Sequence, residues 1–325
     1  MVGESVSFGV TLQSLDDPAR EAQRFERLGY DYVAAGEHVA FNVPIANSFI
    51  SLAVAAGATT SIRLMNTIAL LPLYPPALLA KLGASLDVAS GGRFSLGVGI
   101  GGEIPREFEA CGVPRHERGA RANEALEVIT RLWTEDSVDF HGRFSSFSEV
   151  TIEPKPVSRP HPPIWVSGRK EAAMRRAARY GSGWLPYMYT PEMLAGSLDT
   201  IGAAADRPVE GGLFIWGCVD EDGEAARDMA VKGLSRTYAQ DFSRLVDRYA
   251  FHGTPDKVAG QLNAFVDAGA RTIVISFACP GHKLLASQEL FAEQVLPRFA
   301  GRGLHDGAEH DGTGQPRTTP SEEVR

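Results

Sequence analysis

Short apolar runs recur along the chain and alternate with longer segments of helical periodicity. The runs fall at residues 6–12, 32–35, 63–69, 94–100, 164–167, 183–185, 212–219 and 272–277. They are rich in Val, Ile, Leu and Phe and lack a polar face, the pattern of parallel strands covered on both sides. The intervening segments carry helix punctuation. Asp16 and Asp17 are candidate caps before Pro18, then Ala22, Phe25 and Leu28 follow at helical spacing and Gly29 ends the stretch. A later helix opens at Pro75–Pro76, runs through Leu78, Leu79, Leu82 and Leu86, and stops at Gly91–Gly92. Leu126, Ile129 and Trp133 stripe another, and Thr254-Pro255-Asp256 opens one that ends before Gly269.

Eight alternations of strand and helix predict an α/β chain closed as a single-domain (β/α)8 TIM barrel over residues 1–302. An open, doubly wound sheet is the other arrangement compatible with the pattern, since strand order is not written in the sequence. Two spacings are long. Residues 101–163 contain a helix and a Pro-rich excursion read as a short hairpin and return, and residues 220–271 are read as two helices. Residues 303–325 are polar and rich in Gly, Thr and Glu, which predicts a disordered tail.

The 44% hydrophobic and 22% charged residues are those of an ordinary globular chain. A length of 325 residues buries a core without disulfide or metal staples. A net charge of −8 argues against nucleic-acid and anionic-membrane partners, which need a basic face. The three cysteines, Cys111, Cys218 and Cys279, have no CxxC spacing and read as reduced thiols. The opening MVGESVSFGV lacks a basic-then-apolar leader pattern, and no apolar run reaches the roughly 20 residues of a membrane span. A cytoplasmic location is the expectation.

Barrel enzymes place their chemistry at the C-terminal ends of the strands. That rule selects Gly36-Glu37-His38 after the second run, Gly101-Gly102-Glu103 after the fourth, Gly168-Arg169-Lys170 after the fifth, and Trp184, Tyr187 and Tyr189 around the sixth. His38 at such a mouth can exchange a proton or hold a ligand, or it can simply close a loop. Glu37 and His38 are neighbours, so one of the two is expected to face away. Gly168-Arg169-Lys170 opens a helix at Glu171, and free N–H groups beside two cations suit a phosphate. An ordinary strand-to-helix turn uses the same residues. GxGxxG is formally present from Gly97 to Gly102, but it begins inside a strand and no helix follows directly, so a dinucleotide site is disfavoured. Glycines there are expected to let a flat ring approach the backbone. No metal site is expected: the histidines are scattered and HExxH is absent. There is no GxSxG nucleophile elbow.

Several of these segments, in order, resemble the bacterial-luciferase-like family of flavin- and deazaflavin-dependent oxidoreductases. They are NTIALLPLYPPALLAKLGASLDVASGGRFSLGVGIG from Asn66, ERGARANEALEVITRLW from Glu117, and PPIWVSGRKEAAMRRAARYGSGW from Pro162. The resemblance implies reduced FMN or reduced coenzyme F-420 across the barrel mouth, acting on a small organic substrate. It implies that His38 is the active-site histidine and that Thr67–Ile68 is a non-prolyl cis peptide behind the ring. It implies that Gly101, Gly102, Arg121, Gly168 and Arg169 hold the cofactor phosphate, with Lys170 adjoining. The chain departs from the family in having glycine at 101 where one branch has arginine, Lys170-Glu171 where relatives carry a small hydroxyl residue, and Gly181-Ser182-Gly183-Trp184 for the usual GDGW.

Phe41, Trp184, Tyr187 and Trp216 are candidates for an apolar substrate pocket. Two chemistries follow from the resemblance. An FMN monooxygenase would activate oxygen and need a separate flavin reductase, whereas a deazaflavin enzyme would transfer hydride directly. The non-enzymatic alternative is a flavin-binding accessory protein of the same fold. A homodimer through a leftover apolar helix face is also compatible.

Overall fold

The computed structural model describes residues 5–299. Its strands are β1 (Ser7–Thr11), β2 (Tyr32–Ala35), β3 (Arg63–Asn66), β4 (Ala69–Leu70), β5 (Phe94–Gly99), β6 (Val138–His141), β7 (Ser146–Val150), β8 (Ile164–Val166), β9 (Gly183–Trp184), β10 (Glu210–Val219), β11 (Ala250–Gly253) and β12 (Thr272–Phe277). All except the antiparallel β6–β7 hairpin pair in parallel. The order β12-β1-β2-β3-β5-β8-β9-β10 returns to β12, because Glu210 of β10 pairs with Gly183 of β9 while Gly212–Gly217 pair with Thr272–Phe277. The sheet is therefore a closed eight-stranded parallel barrel, and the open-sheet alternative is excluded.

Closure sorts the side chains into two apolar layers. Tyr32, Ala34, Met65, Trp165, Leu185 and Val274 fill the barrel interior, with Phe214 against them. Their strand neighbours Val33, Leu64, Val166 and Ile273 face outward into the larger core beneath the helices. The helix starts follow the capping signals. Asp17 accepts the Arg20 N–H at 3.0 Å ahead of Pro18, and Thr190 and Thr254 cap helices that also open with proline. The helix read from Pro75–Pro76 spans Pro76–Ser90 and ends on Gly91 in the left-handed conformation, φ 67°.

Three expectations change. The third run is interrupted: β3 stops at Asn66, the Thr67–Ile68 peptide is cis, and β4 resumes at Ala69. The seventh run begins two residues early, at Glu210. Residues 220–271 hold helices Gly223–Tyr238, Val246–Tyr249 and Pro255–Asp267 and also the unforeseen β11, which pairs with the upper half of β10 outside the closed ring. Four residues reading Ala-Phe-His-Gly are too short for a periodic signal, and a partner strand longer than its barrel neighbours recruits them. Of the described residues, no helix is long and apolar enough to cross a membrane. The expected disordered segment 303–325 lies outside the described residues.

Candidate active site

His38 lies three residues beyond β2, at the C-terminal end of the barrel. Its Nδ1 is 3.0 and 3.1 Å from the two carboxylate oxygens of Glu107. Glu107 sits on the short helix Pro105–Ala110, is 1% exposed, and also accepts the backbone N–H groups of Val39 and Ala40 at 2.7 and 3.3 Å. A carboxylate collecting three donors makes Nδ1 the protonated ring nitrogen, which leaves Nε2 as the exchangeable position. Phe41 stacks on the imidazole with ring centroids 4.0 Å apart and planes within 4°. Among the described residues, Nε2 makes no hydrogen bond.

Glu37 turns the other way, as the alternation predicted. It is buried and accepts from Ser48 Oγ at 2.7 Å, Leu70 N at 3.0 Å, Tyr74 Oη at 3.0 Å and Asn47 Nδ2 at 3.1 Å. Burial and the adjacent Glu37 charge push the Tyr74 phenol well up, so it stays protonated and donates. Glu37 therefore ties β2 to β4 and to the start of helix Ser48–Ala58. A cavity of about 370 Å³ is lined by His38, Phe41, Asn42, Val43 and Ile45, and one of about 220 Å³ by Glu37, His38, Leu70, Tyr74 and Cys111. The larger is an open depression formed by the loop of residues 38–45 alone.

The cis Thr67–Ile68 step packs against β5, and this explains its glycines. A Cβ at Gly97 would strike the Asn66 carbonyl, and one at Gly99 the Ile68 side chain. These two positions are thus emptied for a neighbouring strand rather than for a ring, which corrects the reason given for them from sequence. Thr67 Oγ1 and Asn66 Oδ1 are buried with no hydrogen-bond partner in the described structure. Buried polar atoms of that kind are uncommon and fit a ligand that completes them.

The expected phosphate side lies across the mouth. Gly101 and Gly102 have φ 55° and 107°, conformations open to glycine, and a Cβ on Gly102 would come within 2.8 Å of Arg118 Nε. The helix Glu171–Tyr180 starts with no side-chain cap, and a Cβ at Gly168 would lie 2.5 Å from that of Ala173. Arg169 stands 3.9 Å from Glu103 and 5.0 Å over the Tyr187 ring, and Tyr187 Oη donates to Glu103. Lys170 is exposed at the helix start. Among the described residues, Arg118 Nε is buried without a partner. Uncapped N–H groups and an orphaned guanidinium nitrogen fit an anionic cofactor tail, while the space beside Gly102 and Gly168 is taken by Arg118 and Ala173. Arg121 is differently disposed from the expectation: Glu117 holds it at 2.9 Å and Phe144 stacks on it at 4.5 Å.

Aromatic side chains form the remaining wall. Trp216 Nε1 donates to Tyr238 Oη at 3.1 Å, and the Tyr238 ring meets Phe41 and Trp216 edge-on at 6.2 and 6.4 Å. Tyr187 bridges to Phe214, whose ring meets Trp216 edge-on at 5.9 Å, so Phe41, Tyr187 and Trp216 are in one neighbourhood. Trp184 is not: it is fully buried in the outer core, while its neighbour Leu185 points into the barrel. The period of two that makes β9 a strand turns Trp184 away from the mouth. Sequence reasoning missed Glu107, Arg118 and Tyr238, which arrive from helices distant in the chain. Arg118 had a signal, being three residues before the expected Arg121. Glu107 and Tyr238 had none.

The sequence pattern of the luciferase-like monooxygenase family matches residues 3–272, and the chain belongs to that family. It is 31% identical over 200 residues to the FMNH(2)-dependent dimethylsulfone monooxygenase of Pseudomonas putida, covering 60% of this chain and 55% of that one. It is 28% identical over 275 residues to the F420-dependent glucose-6-phosphate dehydrogenase of Nakamurella multipartita, 75% and 80% of the two chains. The chain spans about half the length of the first curated relatives it matches. A monooxygenase from Streptomyces bottropensis superimposes with a TM-score of 0.81 at 29% identity, over 90% of this chain and 100% of that one.

Proposed function

We propose that the chain is an oxidoreductase that binds a reduced flavin (FMN) or deazaflavin (coenzyme F-420) across the barrel mouth and oxidises or reduces a small organic substrate there. The observation that carries this reading is His38, with Nδ1 pinned by buried Glu107 and Nε2 free at the edge of a cavity. The cofactor would supply the electrons. His38 holds or delivers a proton at Nε2, and Glu107 fixes the tautomer and ring plane. Gly101, Gly102, Gly168, Arg169 and Lys170, with Arg118, hold the cofactor's anionic tail, and Thr67 and Ile68 back its ring. Phe41, Tyr187 and Trp216 shape the substrate side and exclude water.

Relatives named for FMNH(2) and for F420 support both cofactors. The test is anaerobic titration with reduced FMN and reduced coenzyme F-420, followed by a turnover assay. Binding of FMN alone assigns oxygen activation and a partner flavin reductase, and binding of the deazaflavin alone assigns direct hydride transfer. Tight binding with no turnover of any substrate would move the chain to the flavin-binding accessory class, and binding of neither would overturn the reading. We place the protein in the cytoplasm, in keeping with its free thiols. We also infer a homodimer through helix Ser48–Ala58, where Ile50 and Val54, one turn apart, are 66% and 41% exposed. Charge substitution at Ile50 should leave a monomer in light scattering.

A further inference from the structure

Cys218 and Cys279 take no part in the site above, yet the fold aims them at one another. Gly217 of β10 lies opposite Phe277 of β12, and Ala278 N donates to the Gly217 carbonyl at 2.8 Å, so the backbones just beyond are pinned side by side. The two sulfur atoms are 2.7 Å apart. Cys218 is wholly buried beneath helix Gly223–Tyr238 among Ala226, Ala230 and Leu234, whereas Cys279 is partly exposed. The third cysteine, Cys111, is exposed and distant in sequence. Two thiols in a hydrophobic layer are often only packing. Here one of the two is partly exposed and the other is buried against it, which is the arrangement of an attacking and a resolving thiol.

We propose that Cys218 and Cys279 form a peroxide-oxidisable dithiol, a modification site independent of the chemistry at the mouth and of which cofactor binds there. The Cys279 thiolate attacks one oxygen of hydrogen peroxide, the O–O bond breaks, and the departing hydroxide takes the proton Cys279 released. This yields a sulfenic acid and one water. The Cys218 sulfur then attacks that sulfur, the S–O bond breaks, and the second hydroxide leaves as water with the Cys218 proton. Two thiols and one peroxide become one disulfide and two waters, the sulfurs losing two electrons to the peroxide oxygens. The local fields suit these roles. The hydrogen bond from the Cys218 thiol pulls the Cys279 thiol down from its ordinary value, while the same bond and burial push Cys218 up. Lys283, paired with Asp220 at 3.2 Å, stands on the helix that begins at Gly281, just after Cys279. Cys218 shares the inward register of Phe214 and Trp216 on β10, so the cross-link would fasten the loop after β12 to the strand that carries the aromatic wall.

The experiment is hydrogen peroxide treatment of the full chain, then denaturation, alkylation and mass spectrometry of the peptides. The expected result is loss of two of the three alkylatable thiols, a linked pair of peptides containing Cys218 and Cys279, and recovery of all three after reduction. Cys111→Ser should keep the link and Cys279→Ser should abolish it. Cys218→Ala should stop at the first step, leaving Cys279 as a sulfenic acid that a dimedone probe captures. Three intact thiols, sulfinic acid at Cys279 of the wild type with no link, or linkage only between chains through Cys111 would each overturn the proposal.

Discussion

The two ends of the barrel share closely hydrogen-bonded charges and differ in what stands beside them. At the N-terminal end of the strands, charged side chains are matched to backbone groups. Glu26 accepts the N–H groups of Thr60, Ser61 and Ile62 at 3.0, 2.7 and 3.0 Å, Arg93 donates to the carbonyls of Ala56, Thr59 and Ile62, and Asp31 receives Phe8 N at 2.8 Å. At the C-terminal end, Glu103 and Arg169 are roughly half exposed and 3.9 Å apart, and neither Arg118 Nε nor Thr67 Oγ1 has a partner among the described residues. Closed networks occur at both ends, at Glu26 and Arg93 below and at Glu37 and Glu107 above, and the C-terminal end adds orphaned polar atoms beside them that are suited to an incoming molecule. His38 combines the two conditions, with one ring nitrogen tied and the other available.

Substitutions at the two ends should therefore separate activity from stability. The largest effect belongs to His38→Ala, which should lower kcat by about 10²-fold or more while cofactor titration changes little. An unchanged rate would remove His38 from the chemistry. Next, Arg169→Glu should weaken a phosphate-bearing cofactor by at least about tenfold and leave phosphate-free riboflavin unaffected. Equal losses for both would move the anion site elsewhere. Glu107→Gln removes the charge that orients His38 and should cost about tenfold in kcat, with a smaller change in KM.

The smallest effect on catalysis, none, is expected of Glu26→Gln, which should instead lower Tm by a few degrees. Four hydrogen bonds to Thr60, Ser61 and Ile62 hold the Glu26 carboxyl down at about 2, against an unfolded value of about 4.3. Because the folded pKa is depressed, this contribution is complete above the unfolded value and is lost as pH falls toward about 2. Thermal melts of wild type and variant should therefore converge in acid. Parallel curves would show that the loop is held by something else.

The fold was legible because burial on both faces leaves each barrel strand a bare apolar run, and because Pro and Gly mark the helix ends. Strand β11 was not, since pairing with β10 rather than composition makes it a strand. The mouth was half legible. The rule that chemistry gathers at strand ends reached His38, Arg169 and Tyr187, but the partner of His38 is 69 residues away on a six-residue helix, and no periodicity links the two. Trp184 shows the opposite error: position near a strand end suggested the pocket, and side-chain alternation sent it to the outer core. Gly97 and Gly99 resembled a ligand motif because empty space reads the same whether a ring or a neighbouring backbone fills it.

Strand β10 is ten residues long, where β1, β2, β5 and β12 are four to six. Its lower part closes the barrel and its upper part is a mast above the ring, rigged by β11 and by the helix that carries Tyr238. Trp216 and Gly217 pair with β11 on one side and with β12 on the other, so the mast is stepped into the ring by backbone pairing that no side chain supplies. A library randomising the side chains at 216 and 238 would redraw the aromatic contact between β10 and that helix without removing a strand pair, so the shape of this wall and the closure of the ring become separate design problems.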